Sequence, residues 1–337
     1  MNKKNNKDQK EKYYPATSAA RVMTTRIPKV DINSTISDVE KIMFSKMGEF
    51  ETINYVYIVD KNNKLKGVIT VKDVFRVPKN ELVKNIMKTN LITASCHTDQ
   101  EKIAFLAIDH NLKAIPVVDK NNHLLGAVPS DVILSILHTE ATEDILHFAG
   151  IHGTKDTARN IIKASAKVHF QKRLPWLVFG LLGGIVAAVV VGFFEKALQS
   201  QLILAAFIPA VVYMADAVGT QTQTIFIRSM ALDHNLNLKK YIIREAMVGF
   251  FMALILGIII LFISFIFWHS ATISFIIGIS IFITILVAMI IAILLPWIFS
   301  KLKYDPAIAS GPLATVFRDI LSLLIYLSIA NAVLGLV

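Results

Sequence analysis

The sequence predicts a multidomain protein: an α/β module made of two copies of one small unit, followed by an all-α membrane domain of five helices. Two observations carry this. The stretches "VYIVDKNNKLKGVITVKDVFRV" and "IPVVDKNNHLLGAVPSDVILSI" share a β-rich run, a DKNN turn, a second apolar run after a glycine and a helical pattern. The chain is also 54% hydrophobic, too apolar for an ordinary soluble protein, and the excess is concentrated in its second half.

The opening residues, 1–15, read "MNKKNNKDQKEKYYP". They carry charge but no apolar core, so they predict a short disordered basic arm and not a signal peptide. The first α/β unit spans 16–78 and the second 79–138. Upstream of each DKNN hairpin, "VMTTRIPKVDINSTISDVEKIM" and "IMKTNLITASCHTDQEKIAFLA" predict a short strand and a helix starting near Ser37 or Asp99. The lone Cys96 excludes an internal disulfide framework and fits a small buried residue in a reducing compartment. The net charge of +10 does not point to nucleic acid. Its basic residues lie in the arm and beside apolar spans, without a basic stripe interleaved with aromatics.

Apolar runs long enough to cross a bilayer are Leu174–Phe194, Leu202–Ile227, Ala246–Phe267, Ile273–Phe299 and Ile308–Val337, the last with an interfacial start. Together they predict a transmembrane domain over 174–337. Lys163, Lys167, Lys172 and Arg173 precede the first span. Arg228, Lys239, Lys240 and Arg244 lie between the second and third, and Lys301 and Lys303 before the fifth. The remaining connections carry only Lys196. This asymmetry predicts a cytoplasmic N-terminus and, after five spans, an outside C-terminus in the cell membrane.

The linker 139–173 has an acidic part and a basic part. Glu140, Glu143 and Asp144 share a helix face. Such a cluster fits either a hard cation held by oxygens or a solvated acidic turn. Arg159, Lys163 and Lys167 then recur at i,i+4 on an amphipathic helix that either lies on lipid headgroups or couples the soluble module to the spans. His147, His152 and His169 lack metal-ligand spacing and read as structural.

Within the spans, Asp216, Thr220 and Gln223 or Thr224 form one polar stripe on the second apolar helix. Gly219 permits close approach there, and Pro209 frees a carbonyl. In the fifth span, Ser310, Gly311, Thr315 and Asp319 form a matching face, with Asp305 at its mouth and Glu245 of the third span placed near it. A carboxylate on a polar stripe in a membrane lines a water-filled path more often than it serves as glue. The donors are all oxygens, which suits a hard, hydrated cation. Adjacent helical residues point about 100° apart, so Asp319 and Arg318 do not face each other.

The repeats resemble a tandem pair of CBS domains, a Bateman module. That resemblance implies binding of ATP or another adenosine nucleotide through Thr70 and Asp73 after Gly67, or a scaffold without nucleotide. The second copy departs, with Asp131 and Val132 at the corresponding place. From the first repeat to the C-terminus, "ATEDILHFAG", "RLPWLVFGLLGG", "VGTQTQTIFIRSMAL" and "DPAIASGPLATVFRDILSLLIYLSIA" resemble the MgtE family of magnesium channels. The resemblance implies a homodimer conducting Mg²⁺ down its gradient, with the pore on the two-fold axis and Asp319 as the pore carboxylate. The second-span motif falls on Ala215–Gln221, so Asp216, Thr220 and Gln221 are expected to meet the ion's waters. The helix before the first span corresponds to a plug. Glu140, Glu143 and Asp144 fall in the zone where cytosolic Mg²⁺ closes the channel.

Three departures follow from the same resemblance. The usual N-terminal helical domain is expected to be missing, Asp216 stands for an Asn, and Arg318 replaces a small polar residue. Arg318 opposes cation entry unless it faces a carboxylate or the interface. Rival readings are a transporter of Mn²⁺ or Co²⁺ and a non-conducting membrane-anchored sensor. An intramembrane metalloprotease is set aside, because no His is followed by Glu.

Overall fold

The computed structural model describes residues 14–151, 164–232 and 236–335. Most of the basic arm lies outside them, as do Arg159, Lys163 and His152 of the linker. The chain divides into two compact units, 1–141 and 142–337.

The first unit contains two three-stranded sheets of identical topology. In one, β1 (Lys29–Asp31) runs parallel to β2 (Tyr55–Val59), which pairs antiparallel with β3 (Leu65–Thr70). In the other, β4 (Ala94–Ser95), β5 (Ala114–Val118) and β6 (Leu124–Pro129) repeat that order. The parallel pair in each needs a crossover, which a helix supplies. These helices are α1 (Ile36–Lys46) and, in the second repeat, α3 (Gln100–Asp109). Thr35 and Asp38 close a capping box at the start of α1, and Asp99 caps α3.

The repeated DKNN turns join the two sheets. Asp60 and Asp119 each hold their own turn, accepting backbone N–H groups two and four residues on. This lets Asn63 and Asn122 take φ of 59° and 66°, a conformation that asparagine tolerates better than most residues. Each then reaches into the other repeat. Asn63 Nδ2 donates to the Leu124 carbonyl and Asn122 Nδ2 to the Leu65 carbonyl, both at 2.9 Å. Asn63→Ala is expected to destabilise this unit by about 1–3 kcal/mol, combining a lost hydrogen bond with backbone strain. Asn63→Gly, which keeps the backbone, should lose less. Thermal unfolding of the full chain in detergent measures both.

In the second unit five helices are long and apolar enough to cross a membrane. They are α6 (Ala166–Phe193), α8 (Ile203–Leu232), α9 (Leu238–Trp268), α10 (Ala271–Lys301) and, after a 3₁₀ turn at Pro306–Ala309, α11 (Pro312–Val333). Before them come α2 (Val71–Arg76) and α4 (Ser130–Phe148) of the chain's first half, and a further short helix, Val83–Ile86, lies at the start of the second repeat; α7 is Glu195–Ser200.

Most of these helices run beyond the apolar windows, and side-chain caps set the start of two of them. Asn237 accepts from the Lys240 N–H at the start of α9, and Ser270 from the Ile273 N–H at the start of α10. A 31-residue helix is about 46 Å long, so its ends project past a hydrocarbon core of about 30 Å. Two differences from the sequence reading matter. The described part of the basic segment, from Lys167 to Arg173, is the first turns of α6 itself and not a separate helix. The fifth span is broken at its start, because Gly311 at φ 65° turns the chain before Pro312 begins α11.

Helix α10 is the centre of the bundle and packs against α9, α8 and α11, while α11 also meets α6 and α8. Small residues let the backbones approach. A Cβ on Gly257 of α9 would lie 3.0 Å from the Gly278 carbonyl of α10. Tyr326 of α11 donates its hydroxyl to the Leu204 carbonyl of α8 at 2.8 Å, tying those helices where α8 begins.

Candidate ion path in the membrane unit

Arg318 and Asp319 diverge from α11 as helical geometry requires. Arg318 is buried, 2% exposed, and crosses to α8. Its Nε and Nη2 donate to Asp216 Oδ1 at 3.0 and 2.7 Å. Nη2 also donates to Thr220 Oγ1 at 3.1 Å, and Nη1 to Gln223 Oε1 at 3.0 Å. Gln223 is held in turn, donating through Nε2 to the Ala309 carbonyl at 3.0 Å. Gly219 makes room, since a Cβ there would lie 2.6 Å from Arg318 Cδ. The arginine therefore faces a carboxylate, which was one of the two arrangements that reconcile it with cation entry.

Asp319 is half-buried, with Asp216 and Arg318 as the charges within its electrostatic reach. On α8, Thr220, Gln221 and Thr224 are exposed on the surface of the single chain. Thr224 donates its hydroxyl to the Thr220 carbonyl. The stripe read from sequence thus has two sides. Asp216 and Gln223 turn to Arg318, Gln221 and Thr224 turn outward, and Thr220 serves both.

The start of α11 is built against the end of α4. A Cβ on Gly311 would lie 3.0–3.1 Å from the backbone of His147, Phe148 and Gly150. His147 is buried, and its Nδ1 lies 3.2 Å from Asp305 Oδ2. Asp305 Oδ1 accepts the Ala307 N–H at 2.8 Å and starts the 3₁₀ turn. Burial alone would lower the His147 pKa. Contact with Asp305 and the charges of Glu143 and Asp144 outweigh it, so the imidazole is raised above its ordinary value. Sequence spacing missed His147, because its partner is far away along the chain.

Glu140 is separated from its neighbours on the same helix by its contacts. It belongs to the first unit, where its Oε1 accepts from Gln100 Nε2 at 2.5 Å. Glu143 and Asp144 belong to the second unit and are half-buried. Glu245, expected near Asp305, lines an apolar groove of about 410 Å³ between α9 and α10, beside Ile242, Met289 and Trp297. Asp305 lies against His147. Among the described residues no group of three or more His, Cys, Asp or Glu side chains is placed to hold a metal. An ion met here through its own waters does not need such a cage.

In the first unit Thr70 lines a cleft of about 340 Å³ with Asn54, Tyr55, Lys72, Asn111 and Lys113. A second cleft shares Tyr55, Thr70 and Asn111 and adds Lys88. Asp73 lines neither cleft. Its Oδ2 accepts the Thr70 N–H and hydroxyl at 3.0 and 2.7 Å, completing the cap of α2. The nucleotide contact expected from Asp73 therefore competes with a helix cap.

The CBS domain family matches residues 19–80 and 83–139, and the divalent cation transporter family MgtE matches 208–329. The magnesium transporter MgtE of Bacillus subtilis is 36% identical over 323 residues, covering 95% of this chain and 70% of that protein. The MgtE of Enterococcus faecalis is 32% identical, with 95% and 70% covered. A crystal structure of the soluble part of a magnesium transporter aligns at 32% identity and TM-score 0.38, covering 38% of this chain and 50% of that one. The relatives that match along nearly the whole chain are transporters and not enzymes. With its tandem CBS domains and five apolar helices, this integral membrane protein belongs to the MgtE family of magnesium transporters.

Proposed function

We propose that the chain is a Mg²⁺-selective channel for uptake down the electrochemical gradient, working as a homodimer with its ion path at the two-fold seam. The observation that carries this reading is the outward polar face of α8 beside Asp319. Thr220, Gln221 and Thr224 are exposed on a membrane helix. Polar side chains facing lipid are costly, so such a face calls for water or a second copy. Two copies meeting there bring two Asp319 carboxylates to one wet seam.

Mg²⁺ dehydrates reluctantly. The carboxylates hold it through its waters, while Gln221 and Thr220 accept the outer hydrogens. A divalent ion crossing 100 mV gains about 4.6 kcal/mol, so inward flow needs neither ATP nor a coupling ion. The basic residues at the start of α6, at the facing ends of α8 and α9 and at the end of α10 support a cytoplasmic N-terminus. Asp305, Glu143 and Asp144 then form a cytosolic acidic mouth where Mg²⁺ favours the closed state. In the first unit the Thr70 clefts, with Lys72, Lys88 and Lys113, take an adenosine nucleotide.

The test is flux into liposomes holding the purified chain, with Mg²⁺, Ca²⁺, Mn²⁺ and Co²⁺ offered in turn. Uptake of Mg²⁺ above the others is expected. Absence of any divalent flux would leave only a sensor, and faster Mn²⁺ or Co²⁺ uptake would change the cargo.

A further inference from the structure

The Arg318 network does more than glue two helices together. Four hydrogen bonds orient the guanidinium, and all go to α8. Its Asp216 partner is only partly covered, with a side chain 35% exposed, whereas Arg318 is 2% exposed. The positive charge is sealed inside, and the carboxylate it neutralises sits at the edge of the polar face. Asp319 is outside the network.

We propose that Arg318 is a fixed countercharge of the ion path: it cancels Asp216 and leaves Asp319 as the net negative side chain that α8 and α11 offer to the ion. This rests on the channel reading above. Each chain then contributes one net negative charge from Arg318, Asp216 and Asp319 together, and two chains match one divalent cation. Conduction requires binding strong enough to enter and weak enough to leave. Removing Arg318 alone doubles the negative charge and holds the ion too long. Removing Asp216 alone cancels the Asp319 charge and empties the path. Removing both restores the original sum. The pair is thus an affinity-setting element that acts through charge and not by touching the ion.

The test is a double-mutant cycle on the full chain in liposomes, with Mg²⁺ uptake read against Mg²⁺ concentration. Arg318→Gln is expected to lower both the half-saturating concentration and the maximal rate, by about tenfold each, and Asp216→Asn to raise the half-saturating concentration by a similar factor. The double variant should return to within about threefold of wild type, the non-additivity expected of residues in contact. Arg318→Lys keeps the charge with poorer geometry and should retain the wild-type half-saturation. Gel filtration in detergent monitors folding, and the half-saturating concentrations are compared among the variants that fold, Arg318→Lys included. Unchanged single variants, or a double variant losing the product of the two single losses, would overturn the countercharge while leaving the channel intact. A wild-type chain without Mg²⁺ flux, or an Asp319→Ala variant as fast as wild type, would instead sink the channel reading itself.

Discussion

Asp319→Ala is expected to abolish Mg²⁺ uptake, and a strain that depends on this chain for Mg²⁺ is expected to stop growing without supplement. The physical argument is the number of charge-assisted hydrogen bonds at stake. Each carboxylate accepting from the ion's water contributes about 1.5–3 kcal/mol, and the two-fold seam proposed above would lose two of them at once. The loss of about 3–6 kcal/mol corresponds to more than a hundredfold in occupancy of the site. Asp319 takes no part in the Arg318 network, so the substitution leaves the tie between α8 and α11 in place. Asp319→Asn, close in shape but neutral, should fail nearly as badly, which separates charge from packing. Liposome flux and complementation at matched expression measure both; growth at the wild-type rate would remove Asp319 from the path.

Neutralising the proposed acidic mouth is expected to raise the Mg²⁺ needed for closure. Glu143→Gln with Asp144→Asn removes two carboxylates from the end of α4, and Asp305→Asn removes the one at the start of α11. A loss of about 1.4 kcal/mol in Mg²⁺ affinity of the closed state shifts half-closure tenfold. Patch recordings at graded cytosolic Mg²⁺ read this directly, and unchanged inhibition would contradict it.

His147 adds a pH dependence with a definite sign. Its raised pKa means that the ion pair with Asp305 is in force below the ordinary imidazole range and is lost as pH rises through the raised folded value. On the gating proposed above, a protonated His147 would compete with Mg²⁺ for Asp305, so half-closure should need more Mg²⁺ at low pH. His147→Gln should flatten that dependence.

Much of this protein was legible in its residues. The duplicated DKNN turns announced two copies of one α/β unit, because a turn that needs an Asn at positive φ leaves a short and specific signature. The apolar runs announced five spans, because lipid imposes a length that soluble helices need not meet. Asp216 and Asp319 stood out because carboxylates are rare in such runs. Helix ends were less visible: α9 starts at Leu238 and α10 at Ala271, outside the apolar windows, since their caps Asn237 and Ser270 depend on local hydrogen bonds and not on hydropathy. The Thr70–Asp73 pair shows the same limit, for one short spacing serves both a helix cap and a ligand contact.

Sequence by itself determined the repeat, the spans and which oxygen-bearing side chains lie in lipid, all of which follow from periodicity and length. The tertiary structure decided how those side chains divide. It gave Asp216 and Gln223 to Arg318, left Gln221 on an outer face, paired His147 with Asp305 and placed Glu245 in an apolar groove. These are contacts between residues far apart in the chain, some about a hundred positions distant. A partner chosen by the packing of two helices leaves no periodic trace in either one.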